Sequence, residues 1–132
     1  MVEFDGKLAA DNVAFLLHDA TLERTTSGRG RADALPWREL AGLGAGGWHS
    51  AKCAGEMIPA FAAIARWARA HGVLCNVEIK PCPGREAATA RAAVETLRQR
   101  WPTHLPAPLL SSFKDASLAA ARAAAPEFAR AL

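Results

Sequence analysis

Eight residues, VLCNVEIK at positions 73–80, leave few folds open to this chain. They read as a strand, with Val73, Cys75, Val77 and Ile79 on one face and Asn76, Glu78 and Lys80 on the other. A helix-length segment lies on each side. Upstream, Pro59 precedes a predicted helix over residues 60–71, in which Phe61, Ile64, Ala65 and Ala68 fall at helical spacing and Gly72 serves as the stop. Downstream, Pro81 and Pro83 end the strand. Residues 85–100 then form an alanine-rich helix with Ala90, Val94, Leu97 and Trp101 on one stripe. A strand between two helices reaches its neighbours by crossover connections. The pattern therefore predicts an α/β architecture around a parallel sheet with right-handed crossovers.

The rest of the chain extends the alternation. Residues 2–7 read as a strand, Asp11-Asn12 as a turn, and residues 13–18 (VAFLLH) as a second strand, which predicts an N-terminal hairpin. Residues 19–34 are polar and rich in Gly, Thr and Arg, a loop composition. Pro36 opens a short helix through Leu40, and residues 42–58 hold five of the ten glycines in a second loop. Residues 109–113 form a short strand. Asp115 is placed to cap a helix running to Ala125, Pro126 ends it, and residues 128–132 begin another strand.

Composition closes off several classes. With 132 residues and 51% hydrophobic content, the chain is long enough and apolar enough for one domain with a real core. The net charge of +3 is scattered rather than clustered, which argues against a nucleic-acid partner. Cys53, Cys75 and Cys82 are odd in number and lack C-x-x-C spacing. A disulfide framework or zinc site is not expected, and a reducing, cytoplasmic location is. No apolar run is long enough to span a membrane, and no secretory signal stands at the N-terminus.

Chemistry concentrates on two strands. Glu3 and Asp5 share one face of the first strand, opposite Phe4, and Glu78 lies on the polar face of VLCNVEIK. Parallel strands are normally apolar on both faces. Three carboxylates facing inward near the C-terminal strand ends, each costly to bury alone, point to a divalent cation, because hard cations take clusters of carboxylate oxygens. The competing interpretation is an exposed hairpin face with Glu78 paired to Lys80. His18 ends the second strand, where an imidazole can move protons near neutral pH. Residues 25–30 (TTSGRG) could cradle an oxyanion through backbone N–H groups, although an ordinary loop accounts for them as well. His49 and His104 fall in predicted loops and His71 at a helix C-terminus. Trp37, Trp67 and Trp101 read as packing residues. Trp48, beside glycines, is the candidate to line a cleft.

MVEFDGKL, FLLHDATLERTTSGRG, GGW, GEMIP, NVEIK and LLSSF follow in an order and spacing that resemble the bacterial glycerophosphodiester phosphodiesterases, over nearly the whole chain. The run HD-x-T-L-x-R-T-T, with E-x-D before it and E-I-K after it, carries the resemblance. It implies a TIM-type (β/α) barrel, about half of it in residues 1–132, with the N-terminal hairpin attached. It implies a divalent cation (Mg²⁺ or Ca²⁺) held by Glu3, Asp5 and Glu78, His18 as one of two acid–base histidines, and Lys80 facing the substrate phosphate. The implied reaction is hydrolysis of a small glycerophosphodiester to glycerol 3-phosphate and an alcohol, in lipid and glycerol metabolism. A related phospholipase-type barrel is disfavoured by the same run.

The sequence also departs from the family pattern. Gly6 stands where a branched residue such as Val is usual, Asn12 where Gly is common and Met57 where Pro is common. A first strand with a His-Arg pair and a Glu-Asn-Thr segment, and the last strands of the barrel, have no counterpart here. The chain as it stands is therefore expected to release no detectable glycerol 3-phosphate. The alternative to an enzyme is a non-catalytic remnant that self-associates through open sheet edges.

Overall fold

A computed structural model gives the fold and describes residues 1–101 and 105–132. Strand β1 (Val2–Leu8) is followed by β2 (Ala14–Leu16), helix α1 (Trp37–Leu40), helix α2 (Phe61–Ala70), strand β3 (Cys75–Ile79), helix α3 (Glu86–Arg100), strand β4 (Leu109–Ser111), helix α4 (Asp115–Ala124) and strand β5 (Arg130–Ala131). The sheet order is β2-β1-β3-β4-β5. β1 and β2 form the predicted antiparallel hairpin, and β1, β3, β4 and β5 run parallel.

The hairpin turn rests on Asn12, which takes φ 65°. Asn tolerates this left-handed conformation better than most residues. Here its side chain is also held, because the Arg85 guanidinium donates to Asn12 Oδ1 and to the Ala9 carbonyl. Gly72 takes φ 62° immediately after α2, as its predicted stop requires.

The terminal strands are shorter than the sequence predicts. β2 ends at Leu16, although Leu17 N–H still donates to the Asp5 carbonyl of β1; Leu16 N–H points the other way, to the Pro59 carbonyl. β4 ends at Ser111 because Ser112 turns inward. Its hydroxyl donates to the Ile79 carbonyl at 2.7 Å and accepts from Lys114 N–H. Asp115 does not cap α4. Lys114 occupies the cap position without a side-chain bond, and Asp115 is the first helical residue, where its charge faces the positive end of the helix dipole.

One core lies between the helices and the outer sheet face. Phe61, Ala65, Val94 and Leu97 pack there against Val77, Ile79 and Leu110. A second core, with Phe15, Leu22, Leu40 and Ile58, lies beneath the two long loops. Trp37 joins it at 6.2 Å from Phe15. Trp67 departs from its expected packing role. It is 47% exposed on α2 and stacks on His71, whose Nδ1–H donates to the Trp67 carbonyl.

The first loop is fastened by Asp33, which accepts two hydrogen bonds from Arg31 at 2.8 and 2.9 Å. The Arg31 hydrogen bonds hold the Asp33 carboxyl below its ordinary 3.8. The unfolded chain therefore binds this proton more readily. The stabilisation is present above about pH 3.8 and is lost as pH falls through the lowered native value. Asp33→Asn should accordingly lower the urea midpoint at neutral pH, with the two proteins converging in acid. A gap that stays constant down to the acid limb would contradict this linkage.

Candidate active site

Register decides which carboxylates meet. Asp5 sits opposite Glu78 and Glu3 opposite Asn76 in the β1–β3 pairing. Strand alternation turns all four away from the helices. One carboxylate oxygen from each of Glu3, Asp5 and Glu78 lies within 4.8 Å of the others. Glu78 is near the C-terminal end of its strand, as expected. Glu3 and Asp5 are not: Glu3 is near the start and Asp5 at the middle of β1, which runs on to Leu8 to pair with β2. On the β4 flank, Ser111 Oγ donates to Asn76 Oδ1 at 3.0 Å.

Lys80 Nζ lies 2.6 Å from Glu78 Oε1 and 3.6 Å from Asp5 Oδ1, and 5.6 Å from the centre of the Phe113 ring. The Glu78–Lys80 pair and the convergence of the three carboxylates thus coexist. Burial alone would lower the Lys80 ammonium, but the Glu78 hydrogen bond and the two nearby charges hold it above 10.5. One ammonium against three ionised carboxylates leaves the cluster two positive charges short of neutrality. Partial loss of water, then repulsion from Asp5 and Glu78, pushes the Glu3 carboxyl above 4.5.

His18 stands at the mouth of the same cleft. Glu3, Asp5, His18, Arg24 and Trp48 line a space of about 530 Å³. Trp48 is 60% exposed, and its Nε1–H donates to the Ala45 carbonyl. The loop carrying it needs glycine at position 46, because a Cβ there would lie 1.9 Å from the Cys53 carbonyl oxygen. His18 Nδ1 is 2.7 Å from Asp19 Oδ1. Asp19 in turn accepts from Arg24 Nε at 2.5 Å and Nη2 at 2.9 Å. The Arg24 hydrogen bonds, and then that of His18, hold the Asp19 carboxyl well below the usual carboxylate range.

Sequence reasoning passed over three of these neighbours. Asp19 and Arg24 are the Asp and Arg of the HD-x-T-L-x-R run, and their spacing was the available signal. Lys7 alternates with Glu3 and Asp5 and so shares their face. It is almost fully buried, donates to the Lys80 carbonyl at 2.8 Å, and has its pKa lowered by that burial. The TTSGRG segment spends its N–H groups internally, Ser27 on the Gly44 carbonyl, Gly28 on Thr26 Oγ1 and Gly30 on Glu23. That is a folded loop rather than an anion cradle. The His49 ring sits 5.8 Å from Trp48, and His104 lies outside the described residues.

The pattern of the glycerophosphoryl diester phosphodiesterase family matches residues 1–132. A phosphodiesterase from Oleispira antarctica, solved in complex with the product sn-glycerol-3-phosphate, is 40% identical with a TM-score of 0.93, over 98% of this chain and 52% of that one. A glycerophosphodiester phosphodiesterase from Agrobacterium tumefaciens is 27% identical with a TM-score of 0.84, over 97% of this chain and 52% of that one. A glycerophosphodiester phosphodiesterase from Caldanaerobacter subterraneus is 34% identical over 79 residues, which are 60% of this chain and 32% of that one. The chain thus spans about half the length of these solved relatives. Its four parallel strands form part of their TIM-type barrel, whose full count is eight.

Proposed function

The chain belongs to the glycerophosphoryl diester phosphodiesterase family, and on that footing we propose that it carries the cation-holding part of a hydrolase that splits glycerophosphodiesters into glycerol 3-phosphate and an alcohol. The observation that carries this is the convergence of Glu3, Asp5 and Glu78 on one point, with His18 lining the cleft that Glu3 and Asp5 also line. The donor set fits a hard divalent cation: all oxygen, crowded, and short of positive charge by two. Glu3, Asp5 and Glu78 would hold Mg²⁺ or Ca²⁺, which when bound would neutralise phosphate charge and acidify a coordinated hydroxyl.

Lys80 adds positive charge beside the phosphate position. In-line attack by the substrate's own glycerol hydroxyl, its proton passing to the second acid–base histidine of the family's pattern, would break the bond to the alcohol and give a cyclic phosphate that water then opens. His18 gives a proton to the departing alcohol through Nε2, the ring nitrogen that Asp19 leaves free. The bound product of the Oleispira antarctica relative supports the choice of substrate. The free thiols Cys53, Cys75 and Cys82 support a reducing compartment, and no described helix is long and apolar enough to cross a membrane.

Titration calorimetry of the chain with Mg²⁺ and Ca²⁺ tests the site. Saturable binding is expected, with thermal stabilisation of about 2.7 kcal/mol at a hundredfold excess over Kd. Both should vanish in Glu78→Ala. Equal responses from the two proteins would remove the carboxylate cluster from the reading. Release of glycerol 3-phosphate from glycerophosphocholine, followed in a coupled dehydrogenase assay, tests the reaction itself: none is expected from residues 1–132 alone, and robust cation-dependent release that Glu78→Ala abolishes would overturn that expectation.

A second reading, self-association, is favoured by the sheet edges. Among the described residues β5 is paired on one side only, and the hairpin register covers β1 from Gly6 onward. A sedimentation profile independent of concentration would dispose of it.

A further inference from the structure

The three groups at the cleft mouth form a chain of contacts with a direction. His18 Nδ1 meets one oxygen of Asp19, and the Arg24 guanidinium grips both oxygens of the same carboxylate. We propose that Asp19 and Arg24 are positioning residues for His18: Asp19 fixes the imidazole as its Nδ1–H tautomer, and Arg24 fixes Asp19. The proposal rests on the function proposed above for His18, but its geometry stands apart from any turnover.

A carboxylate only accepts hydrogen bonds, so the ring nitrogen facing Asp19 must carry the proton. The lone pair, or the transferable proton after protonation, is then left on Nε2, at the end of the ring away from Asp19. His18 and Arg24 are 58% and 59% exposed and Asp19 22%. An isolated His–Asp contact in such a setting would be loose, because exposed ion pairs hold weakly. The Arg24 fork changes this. Its two parallel N–H bonds set the carboxylate plane, which bidentate Arg–carboxylate geometry does more firmly than a single contact. It also holds the Asp19 carboxyl well below the usual range, so the acceptor persists through acid conditions.

Arg24 lines the cleft, and its other conceivable task is to bind the substrate phosphate directly. The geometry speaks against that. Its Nε and Nη2, one complete fork, are already committed to Asp19. Lys80, in contrast, directly follows the strand that carries Glu78 and stands beside the carboxylate cluster.

Long-range ¹H–¹⁵N correlation spectra of the ¹⁵N-labelled chain, with His18 assigned by its loss in His18→Gln, read the tautomer directly. In the native chain at a pH where His18 is neutral, Nδ1 should give the protonated type of signal and Nε2 the unprotonated type. Asp19→Asn should bring the Nδ1–H form below half of the population, because the carboxamide can turn its NH₂ toward His18 and its oxygen toward Arg24. Asp19→Glu should restore it at least in part. Arg24→Gln should weaken the native preference, and combined with Asp19→Asn it should add nothing further. Unchanged amide spectra elsewhere show that the variants are folded. An Nε2–H tautomer in the native chain, or no change in Asp19→Asn, overturns the proposal. Loss of inorganic phosphate binding in Arg24→Gln with the tautomer intact overturns the part assigned to Arg24. Cation binding measured on the same variants keeps the outcomes separate. If calorimetry finds no cation while the tautomers behave as stated, the hydrolase reading fails and the positioning stands.

Discussion

His18→Ala should cut turnover on glycerophosphocholine by roughly 10²–10⁴-fold, the range typical of a lost general acid or base, while substrate binding changes little. His18 lines the cleft with Glu3 and Asp5 and has Nδ1 engaged by Asp19, so truncation removes the proton donor without opening the core. The effect amounts to about 3–5 kcal/mol of transition-state stabilisation. An exposed side chain away from the core normally moves folding stability by less than about 0.5 kcal/mol. A large loss of turnover beside an unchanged melting temperature is therefore the expected signature. The measurement belongs in an enzyme form that also supplies a second proton-transfer group, since groups that act as a unit cannot be judged singly. Near-normal turnover there would take His18 out of the mechanism.

Phe61→Ala is expected to cost about 3–5 kcal/mol of stability, the usual range for truncating a buried aromatic residue. Phe61 begins α2, is fully buried, and meets Phe4 edge to face with ring centres 5.7 Å apart. The same ring explains a local departure from the family pattern. A Cβ at Gly6 would lie 3.2 Å from the Phe61 ring, so the ring already occupies the space a branched residue would need. Gly6→Val alone should destabilise by about 1–3 kcal/mol through overpacking. The double variant should lose less than the sum of the two single losses, because the valine enters the space vacated by the ring. Urea unfolding of the four proteins gives the coupling directly. Strict additivity would mean that Gly6 and Phe61 do not share that space.

Much of the architecture was legible in the sequence because it depends on local period. The alternation in VLCNVEIK put Val77 and Ile79 toward the helices and Glu78 away from them, and the helical spacing of Phe61, Ala65 and Ala68 marked the buried face of α2. The HD-x-T-L-x-R-T-T run carried the family with it, since it spans neighbours in the chain. Strand ends were less legible. Where β4 stops depends on an acceptor that is remote in sequence, the Ile79 carbonyl for the Ser112 hydroxyl.

The sequence by itself determined the alternation of strands and helices, the shared face of Glu3 and Asp5, and the placing of Glu78 on the face opposite Val77 and Ile79. Periodicity assigns a side chain to a face without saying which residues on other strands will stand beside it. Only the tertiary structure decided that Asp5 lies opposite Glu78, a contact set by strand register across 73 residues of chain. It alone brought Lys80 between two carboxylates, buried Lys7 against the Lys80 carbonyl, and turned Arg24 back onto Asp19. The physical reason is common to all four. Coulombic and hydrogen-bonding contacts act over a few ångströms in space, and the chain fixes such distances only once its sheet has closed around them.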